Sequence, residues 1–590
     1  MPTLPAFVRE HLAHPRENVL VERFAGAWRG LSSVELQARI DDLAVALRDT
    51  PGIEPGDRVA LIAENSIDWL VVDNAILSAG FVVVPIFATQ AIDQVAYIID
   101  HSGAKLVFAG TLDLAQRLAR DVPNCPRVVC MHTDAPDSLR DFERRGRERR
   151  KEQGTDVAAY TAHADPHAMA VLIYTSGTTG PPKGVMLAHD NITSNVAASF
   201  GYGFTGVSNG EKVLSLLPFS HIYEHHIIYG YFLKGVSVYI CHSPDELLAD
   251  LRDVHPVFMT TVPRIFERVL MGIVAKSKAE GGLRARLVPW ALGVGRDYMR
   301  AIHGETPPSL ALRTQYALAH TLVLRKLRPA LGLDRLKYFC CGSAPLHLDV
   351  SCTLAAADIT ILEGYGPTEC SPVLTENIVA TNRYGTVGKP LPNVELRIGD
   401  DGEILARGPN VMLGYYNDPE ATAAALADGW YHTGDIGEFD ADGYLRITDR
   451  KKEVFKTSTG KFVAPSRVEA SLKRSIFISQ AIVVGNGRPH PAALVAPNWV
   501  LVRSELGLEN VENPEELAAR DDVRAFLEEE VVEHTADLGK FEQIRRFAIL
   551  PRDLTIEAGE LSPTLKVRRR IVEHRYADLI EAAYRAPAPA

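Results

Sequence analysis

Tyr174-Thr175-Ser176-Gly177-Thr178-Thr179-Gly180-Pro181-Pro182-Lys183-Gly184 follows the apolar run Ala168–Ile173, which reads as a buried strand. Three glycines and four Ser/Thr hydroxyls in eleven residues add nothing to a core. They suit a loop whose backbone N–H groups surround an anion, because glycine lets the backbone approach closely and successive N–H groups form a nest for phosphate oxygens. Lys183 adds a point charge. The pattern is not a Walker loop, which needs Gly-Lys-Ser/Thr; here Pro182 precedes the lysine and Gly184 follows it.

Outward from this loop, strands and helices alternate. A hairpin is expected over Val21–Gly30, helices over Ser32–Arg48 (with Ser33 as a cap), Ser66–Ser78 and Gln94–Ser102, and strands over Asp57–Ile62, Val82–Pro85 and Lys105–Ala109. Alternation of this kind predicts a parallel sheet covered on both faces. Beyond the loop, Asn191–Ala198 and Ile222–Leu233 read as helices, and Val213–Leu217 and Val257–Thr260 as strands. Residues 270–330 read as mostly helical, broken near Gly281-Gly282 and Gly304–Pro308. The strands Leu336–Cys341 and Ile359–Glu363 each run into a Gly-bearing turn, Gly342-Ser343-Ala344 and Gly364-Tyr365-Gly366-Pro367-Thr368-Glu369. Two such loops at the carboxyl ends of neighbouring strands mark a ligand crevice in open α/β sheets. From Gly385 to Arg450 short strands and turns suggest a small β unit.

The chain of 590 residues is too long for one core, and a boundary is placed at Asp449–Lys452. The expected architecture is α/β: a large N-terminal domain (1–449) of layered α/β sheets plus a small β unit, then a small mobile α+β C-terminal domain (450–590). A net charge of −11 gives no support to a nucleic-acid partner. Seven irregularly spaced cysteines suit a reducing compartment, with Cys125 and Cys130 structural. The N-terminus lacks the cationic-then-apolar pattern of a signal peptide, and no run of about 18 apolar residues suggests a span. The expected location is therefore cytoplasmic. The charge run Arg140–Gly154 is read as a solvated helix, with lipid or partner contact as the lesser reading. Ala586–Ala590 reads as a loose tail.

Taken together, Tyr174–Gly184, Gly364–Glu369, Tyr431-His432-Thr433-Gly434-Asp435, Ile447-Thr448-Asp449-Arg450-Lys451-Lys452 and Leu561-Ser562-Pro563-Thr564-Leu565-Lys566 resemble the adenylate-forming superfamily of acyl-CoA synthetases, luciferases and peptide-synthetase adenylation domains. Leu217-Pro218-Phe219-Ser220-His221-Ile222-Tyr223-Glu224, Val262-Pro263-Arg264-Ile265-Phe266-Glu267 and Gly460-Lys461-Phe462-Val463-Ala464-Pro465 are similar to the long-chain fatty acyl-CoA synthetases. The resemblance implies that ATP and a fatty acid give acyl-adenylate and pyrophosphate, and that coenzyme A then takes the acyl group with release of AMP. Two alternatives stay open: an acyl-AMP ligase loading a carrier protein, and a CoA ligase for an aryl, sterol or shorter acid. A non-catalytic nucleotide- or lipid-binding relative is disfavoured, because Glu369, Asp435, Arg450 and Lys566 are all present.

By the same resemblance Lys566 reaches the carboxylate and the α-phosphate, with Lys183 and Thr368 also on phosphate. Glu369 holds Mg²⁺, with Thr175 as a second contact. The nucleotide is expected against Thr175, Ser176, Gly177, Thr178, Thr179 and Gly180. Gly342, Ser343, Ala344, Glu363, Gly364, Tyr365 and Gly366 are expected to line it, Tyr365 along the adenine face. Asp435 and Arg450 take the ribose, Lys452 marks the hinge, and Lys456 and Gly460 complete the set. His221 and Ile222–Leu233 resemble the wall of an acyl tunnel. His225 stands where some relatives have a Trp gate, and a structural role is expected for it and for His226. The substrate class and the basic stretch Arg144–Lys151 point to peripheral membrane contact, and a homodimer is compatible with the sequence.

Overall fold

The computed structural model describes all residues except 133–136, 176–180, 305, 452, 557, 563–566 and 586–590. The expected loose tail 586–590 therefore lies outside the described residues.

Among the described residues, nine strands form one sheet and seven another. The central strands of both are parallel, and their inward positions are nearly all buried Val, Ile, Leu and Phe. This is the signature of a sheet covered on both faces. In the nine-stranded sheet, Ile361–Tyr365, Tyr338–Cys341, Phe258–Thr261 and Lys212–Ser215 lie side by side. In the seven-stranded sheet, Met169–Thr175 pairs antiparallel with Lys183–Ala188, so Thr175 faces Lys183 across the ladder. A four-stranded antiparallel sheet includes Tyr431–Phe439 and Leu445–Arg450. The C-terminal part has its own sheet, Ile478–Val484, Ala492–Pro497 and Phe547–Ile549, and its own core.

The predicted elements recur with ends that coincide or shift by up to four residues. The helix Ser33–Arg48 is capped by Ser32 rather than Ser33: Ser32 accepts from the Glu35 N–H, and the Glu35 carboxylate accepts from the Ser32 N–H, closing a capping box. Residues 263–330 are helical with breaks at the two glycine-bearing sites, giving Pro263–Glu280, Gly282–His303 and Leu310–Ala319.

The arginine-rich segment departs from expectation. It forms the helix Leu139–Gln153, but not as a solvated rod. Leu139, Phe142, Glu143 and Gly146 are buried against Ser33–Arg48. Arg147 and Arg150 pair with Asp42, Arg149 with Asp49, and Arg39 reaches back to Glu143. The charge run thus has an acidic complement on the helix beneath it.

The helix Pro263–Glu280 carries the C-terminal part along its length. Arg264 donates to the Ser479 carbonyl at 2.9 Å and to its hydroxyl at 3.1 Å, Asn498 approaches the Met271 Sδ at 3.3 Å, and Lys278 pairs with Glu505 at 3.0 Å. These three residues recur every seventh position, so they share one face of the helix. The opposite face, with Phe266, Val274 and Ser277, is buried in the large part.

Two glycines test this packing. A Cβ on Gly146 would lie 1.7 Å from the Asp42 carbonyl oxygen, whereas one on the helical Gly272 would meet nothing within 4 Å. Gly146→Ala should destabilise by about 1–3 kcal/mol in urea unfolding, and Gly272→Ala should be neutral or stabilise by up to ~1 kcal/mol.

Candidate active site

The first group is built from three chain segments. Lys183 opens its strand, and its ammonium lies over the Tyr415 ring at 4.8 Å and 3.7 Å from Asp418. Tyr415 is held there because Gly414–Tyr415 pairs with the strand Lys183–Ala188. Its hydroxyl donates to the Glu369 Oε1 at 2.8 Å. Glu369 sits in the short turn Thr368–Cys370 directly after the strand ending at Tyr365, and its carbonyl accepts the Met412 N–H at 2.8 Å. The structure therefore gathers Lys183 and Glu369 about one aromatic residue, with Thr368 next to Glu369 in its turn. Tyr415 was not among the sequence candidates. Its only sequence signal is the aromatic pair Tyr415-Tyr416 ahead of Asn417-Asp418-Pro419, a weak one. Ser176, Gly177, Thr178, Thr179 and Gly180 lie outside the described residues.

The second group centres on Asp435. Its Oδ2 accepts the Tyr365 hydroxyl at 2.7 Å and its Oδ1 the Arg450 Nε at 3.0 Å. These bonds join the nine-stranded sheet to two paired strands of the four-stranded sheet, at the residue where the chain passes to the small part. A carboxylate has about four acceptor positions, so two remain for hydroxyl donors. Burial and the Asp435 charge hold the Tyr365 phenol well above its ordinary pKa, so it stays a donor. Gly364 and Gly366 flank Tyr365. A Cβ on Gly366 would lie 1.7 Å from the Pro372 carbonyl oxygen, so this glycine is fixed by close backbone approach whatever else it does. On the neighbouring strand end, Gly342 lies against the Tyr223 ring, Ser343 takes a left-handed φ of 69°, and Ala344 is exposed.

Glu363 differs from a solvent-facing nucleotide contact. It is buried in its strand; burial pushes its carboxyl up to about 8, against the pull of the Leu346 and Gly385 N–H groups. It is protonated at neutral pH. Next to Arg450, Lys451 pairs with Asp401 at 2.6 Å and Glu403 at 3.0 Å, and burial raises the neighbouring Asp449 to about 6. Lys452 lies outside the described residues. Lys456 and Gly460 share the hairpin Phe455–Lys456/Phe462–Val463, where the Lys456 ammonium lies 5.4 Å from the Phe462 ring centre. The hydrogen bonds of this hairpin stay within the small part among the described residues. Lys566 lies outside the described residues.

The helix Ile222–Lys234, expected to line an acyl tunnel, is packed as core. His225 meets Asp73 at 3.1 Å and the Tyr229 hydroxyl donates to Asp73 at 3.0 Å; His226 bonds Ser199 at 3.0 Å. Glu224 accepts from Thr260 at 2.6 Å and from Ser215, and burial raises its carboxyl to about 7. His225 and His226 are both fully buried, which agrees with the structural role expected for them. Burial lowers the His226 imidazole to about 3, so it is neutral.

Among the described residues no cluster of three or more His, Cys, Asp or Glu side chains could hold a metal by itself. Glu369 nevertheless fits Mg²⁺, a hard ion that usually takes one or two protein carboxylates with phosphate and water completing its shell. Tyr415 occupies only part of the carboxylate's acceptor capacity.

The chain belongs to the AMP-binding enzyme family: residues 8–416 match the AMP-binding enzyme domain and 452–588 the AMP-binding enzyme C-terminal domain. It is 35% identical over 589 residues to a long-chain-fatty-acid–CoA ligase of Mycobacterium bovis, covering 98% of this chain and 96% of that protein. It is 31% identical to the peroxisomal long chain acyl-CoA synthetase 7 of Arabidopsis thaliana, covering 90% and 78%. Among solved structures, it shares the fold of the carboxylate reductase adenylation domain from Mycobacterium chelonae, at a TM-score of 0.77, 23% identity and coverage of 99% and 91%. It likewise shares that of ATP-bound MatB from Rhodopseudomonas palustris, at 0.71, 23%, and 97% and 99%.

Two measurements probe the site. Tyr415→Phe removes the hydrogen bond to Glu369; kcat/KM for pyrophosphate release should fall about tenfold or more, with a raised Mg²⁺ requirement, since a hydrogen bond to a charged group is worth about 1.5–3 kcal/mol. Glu363 binds its proton in the folded state up to about pH 8, whereas an unfolded glutamate ionises near 4.5. Its contribution to stability is therefore complete at low pH and lost as pH rises between these values. Glu363→Gln should gain stability over the wild type across that window, on the order of a kcal/mol per pH unit, and level off above it.

Proposed function

We propose that the protein activates a long-chain fatty acid with ATP, forming acyl-adenylate and pyrophosphate, and passes the acyl group to coenzyme A with release of AMP. The observation that carries this reading is the presence of two carboxylate centres, Glu369 bonded to Tyr415 under the Lys183 ammonium and Asp435 bonded to Arg450 and to Tyr365 at a parallel strand end, in a chain with full-length long-chain ligase relatives.

In this reading ATP lies across the strand ends. Asp435 accepts the ribose hydroxyls with Arg450 beside it, and Tyr365 sits against the base. Thr368, Thr175 and the loop Ser176–Gly180 take the phosphates, with Lys183 neutralising charge. Gly342, Ser343, Ala344, Gly364 and Gly366 supply backbone along the nucleotide. Glu363 acts as a buried support for this strand end. Glu369 would hold Mg²⁺, which when bound neutralises phosphate charge. Such a transfer depends on positioning and electrostatics, with no protein nucleophile. Lys566 would stabilise charge developing between the carboxylate and the α-phosphorus. The division at 449/450 places a hinge at Arg450–Lys452, with Lys456 and Gly460 on the side that moves. Cytoplasmic location with peripheral membrane contact fits a substrate that partitions into bilayers; among the described residues no helix is long and apolar enough to cross a membrane.

The test measures pyrophosphate release with ATP, Mg²⁺ and acids from short to very long, with and without coenzyme A. A maximum at long acids with coenzyme A-dependent thioester is expected. Acyl-AMP that accumulates without thioester would replace this reading with an acyl-AMP ligase. Lys566→Ala should cut adenylate formation by about 10²-fold or more while retaining thioester formation from supplied acyl-AMP; equal loss in both steps would remove Lys566 from its role.

A further inference from the structure

The arginine-rich helix Leu139–Gln153 is a poor candidate for a lipid surface, because its basic groups are engaged. Arg144 pairs with Asp141 and Glu148, Arg145 with Asp137 and Asp141, and Arg147, Arg149 and Arg150 with acids of the helix beneath. A different surface has the missing properties. The helix Leu310–Ala319 and the turn that continues it to Leu324 pack one side into the core through Ala319, Val323 and Leu324, with Tyr316 stacked on Tyr298 at 3.9 Å. The other side shows Leu310 81% exposed, Leu318 53% and Leu322 40%, interleaved with Thr314, Ala317 and Thr321. Ile302, 47% exposed, lies at the same end of the helical hairpin as Leu310.

The charge of this segment is one-sided. No Asp or Glu occurs from residue 306 to 333, although the chain as a whole carries −11. Arg313, Arg325 and Lys326 are exposed and form no ion pair among the described residues. The exposed Asp358 meets the segment at His320, 2.8 Å away, and leaves Arg313, Arg325 and Lys326 unpaired. An apolar stripe with unpaired basic residues is the pattern of a helix that lies in a bilayer interface, apolar side down, with cations meeting anionic headgroups. A second copy of the chain is a poor occupant, since a two-fold contact would set these cations against one another.

We propose that the face of 310–326 is the surface by which this protein docks on anionic lipid bilayers. The hairpin it belongs to is tied to the strand-end turn of the active site. Arg300 pairs with Asp349 at 3.1 Å, and the Tyr316 hydroxyl donates to the Ala356 carbonyl at 3.2 Å, both in or beside the helix Leu348–Ala355 that follows Gly342-Ser343-Ala344. Docking therefore sets the carboxyl ends of the sheet near the source of an acyl substrate. That consequence rests on the long-chain reading; the docking itself does not.

The test is flotation of the full-length protein with vesicles of phosphatidylcholine, alone or with one part in three phosphatidylglycerol. Binding to the anionic vesicles that weakens with salt is expected. Leu310→Ser with Leu318→Ser and Leu322→Ser should lower the bound fraction at least tenfold. Arg325→Gln with Lys326→Gln should lower it to a similar degree, at about fivefold per basic residue near an anionic surface. Arg144→Gln with Arg149→Gln should leave it unchanged. Pyrophosphate release with a soluble acid in vesicle-free buffer should be unaltered in the 310–326 variants, which separates failure of docking from failure of the enzymatic reading. Undiminished binding of the leucine variant, or absence of wild-type binding, would overturn the proposal. So would conversion of a wild-type dimer to monomer by the leucine changes, which would assign the face to a second copy.

Discussion

The carboxylate of Asp435 ties the end of a central parallel strand to two paired strands of the small β unit. Tyr365 comes from the end of a central parallel strand, Asp435 from an antiparallel strand of the small β unit, and Arg450 from the end of the strand paired with it, where the chain passes to the C-terminal part. Both bonds are charge-assisted, the stronger class of protein hydrogen bond. Their geometry fixes where the β unit stands over the strand ends and where the chain leaves for the small part. Lys451, bonded to Asp401 and Glu403, braces the adjoining residue. A binding site for ribose, in the reading proposed, is thus also a mechanical joint.

The second centre shows the same economy. Lys183, Tyr415 and Glu369 come from three segments and meet because a two-residue strand adds to the edge of the seven-stranded sheet. The tyrosine separates the cation from the carboxylate, covering the one with its ring and hydrogen-bonding the other. Without it the two charges could pair directly, and each would be less available to phosphate or to a metal.

Much of this was legible in the chain. The parallel-sheet architecture followed from apolar strands alternating with helices, and the crevice from glycine-bearing turns after Cys341 and Glu363. Local rules failed where partners are distant in sequence. The run Arg140–Gly154 looks solvated because its complement, Asp41, Asp42 and Asp49, lies about a hundred residues earlier. Glu363 looks like any strand-end acid until its burial is known. Tyr415 has no motif around it, and its position depends on edge pairing that periodicity does not record. The Arg264, Met271 and Lys278 face is a seven-residue repeat that gains meaning only when the C-terminal part is seen against it.

The central claim is that the acid is activated through its own oxygen as an acyl-adenylate. Oxygen-18 in both positions of the fatty-acid carboxylate tests it most directly. After one turnover with ATP and coenzyme A, mass spectrometry should find one labelled oxygen in the phosphate of AMP and one in the thioester carbonyl. Label in inorganic phosphate, with ADP as product, or AMP without label, would contradict the account.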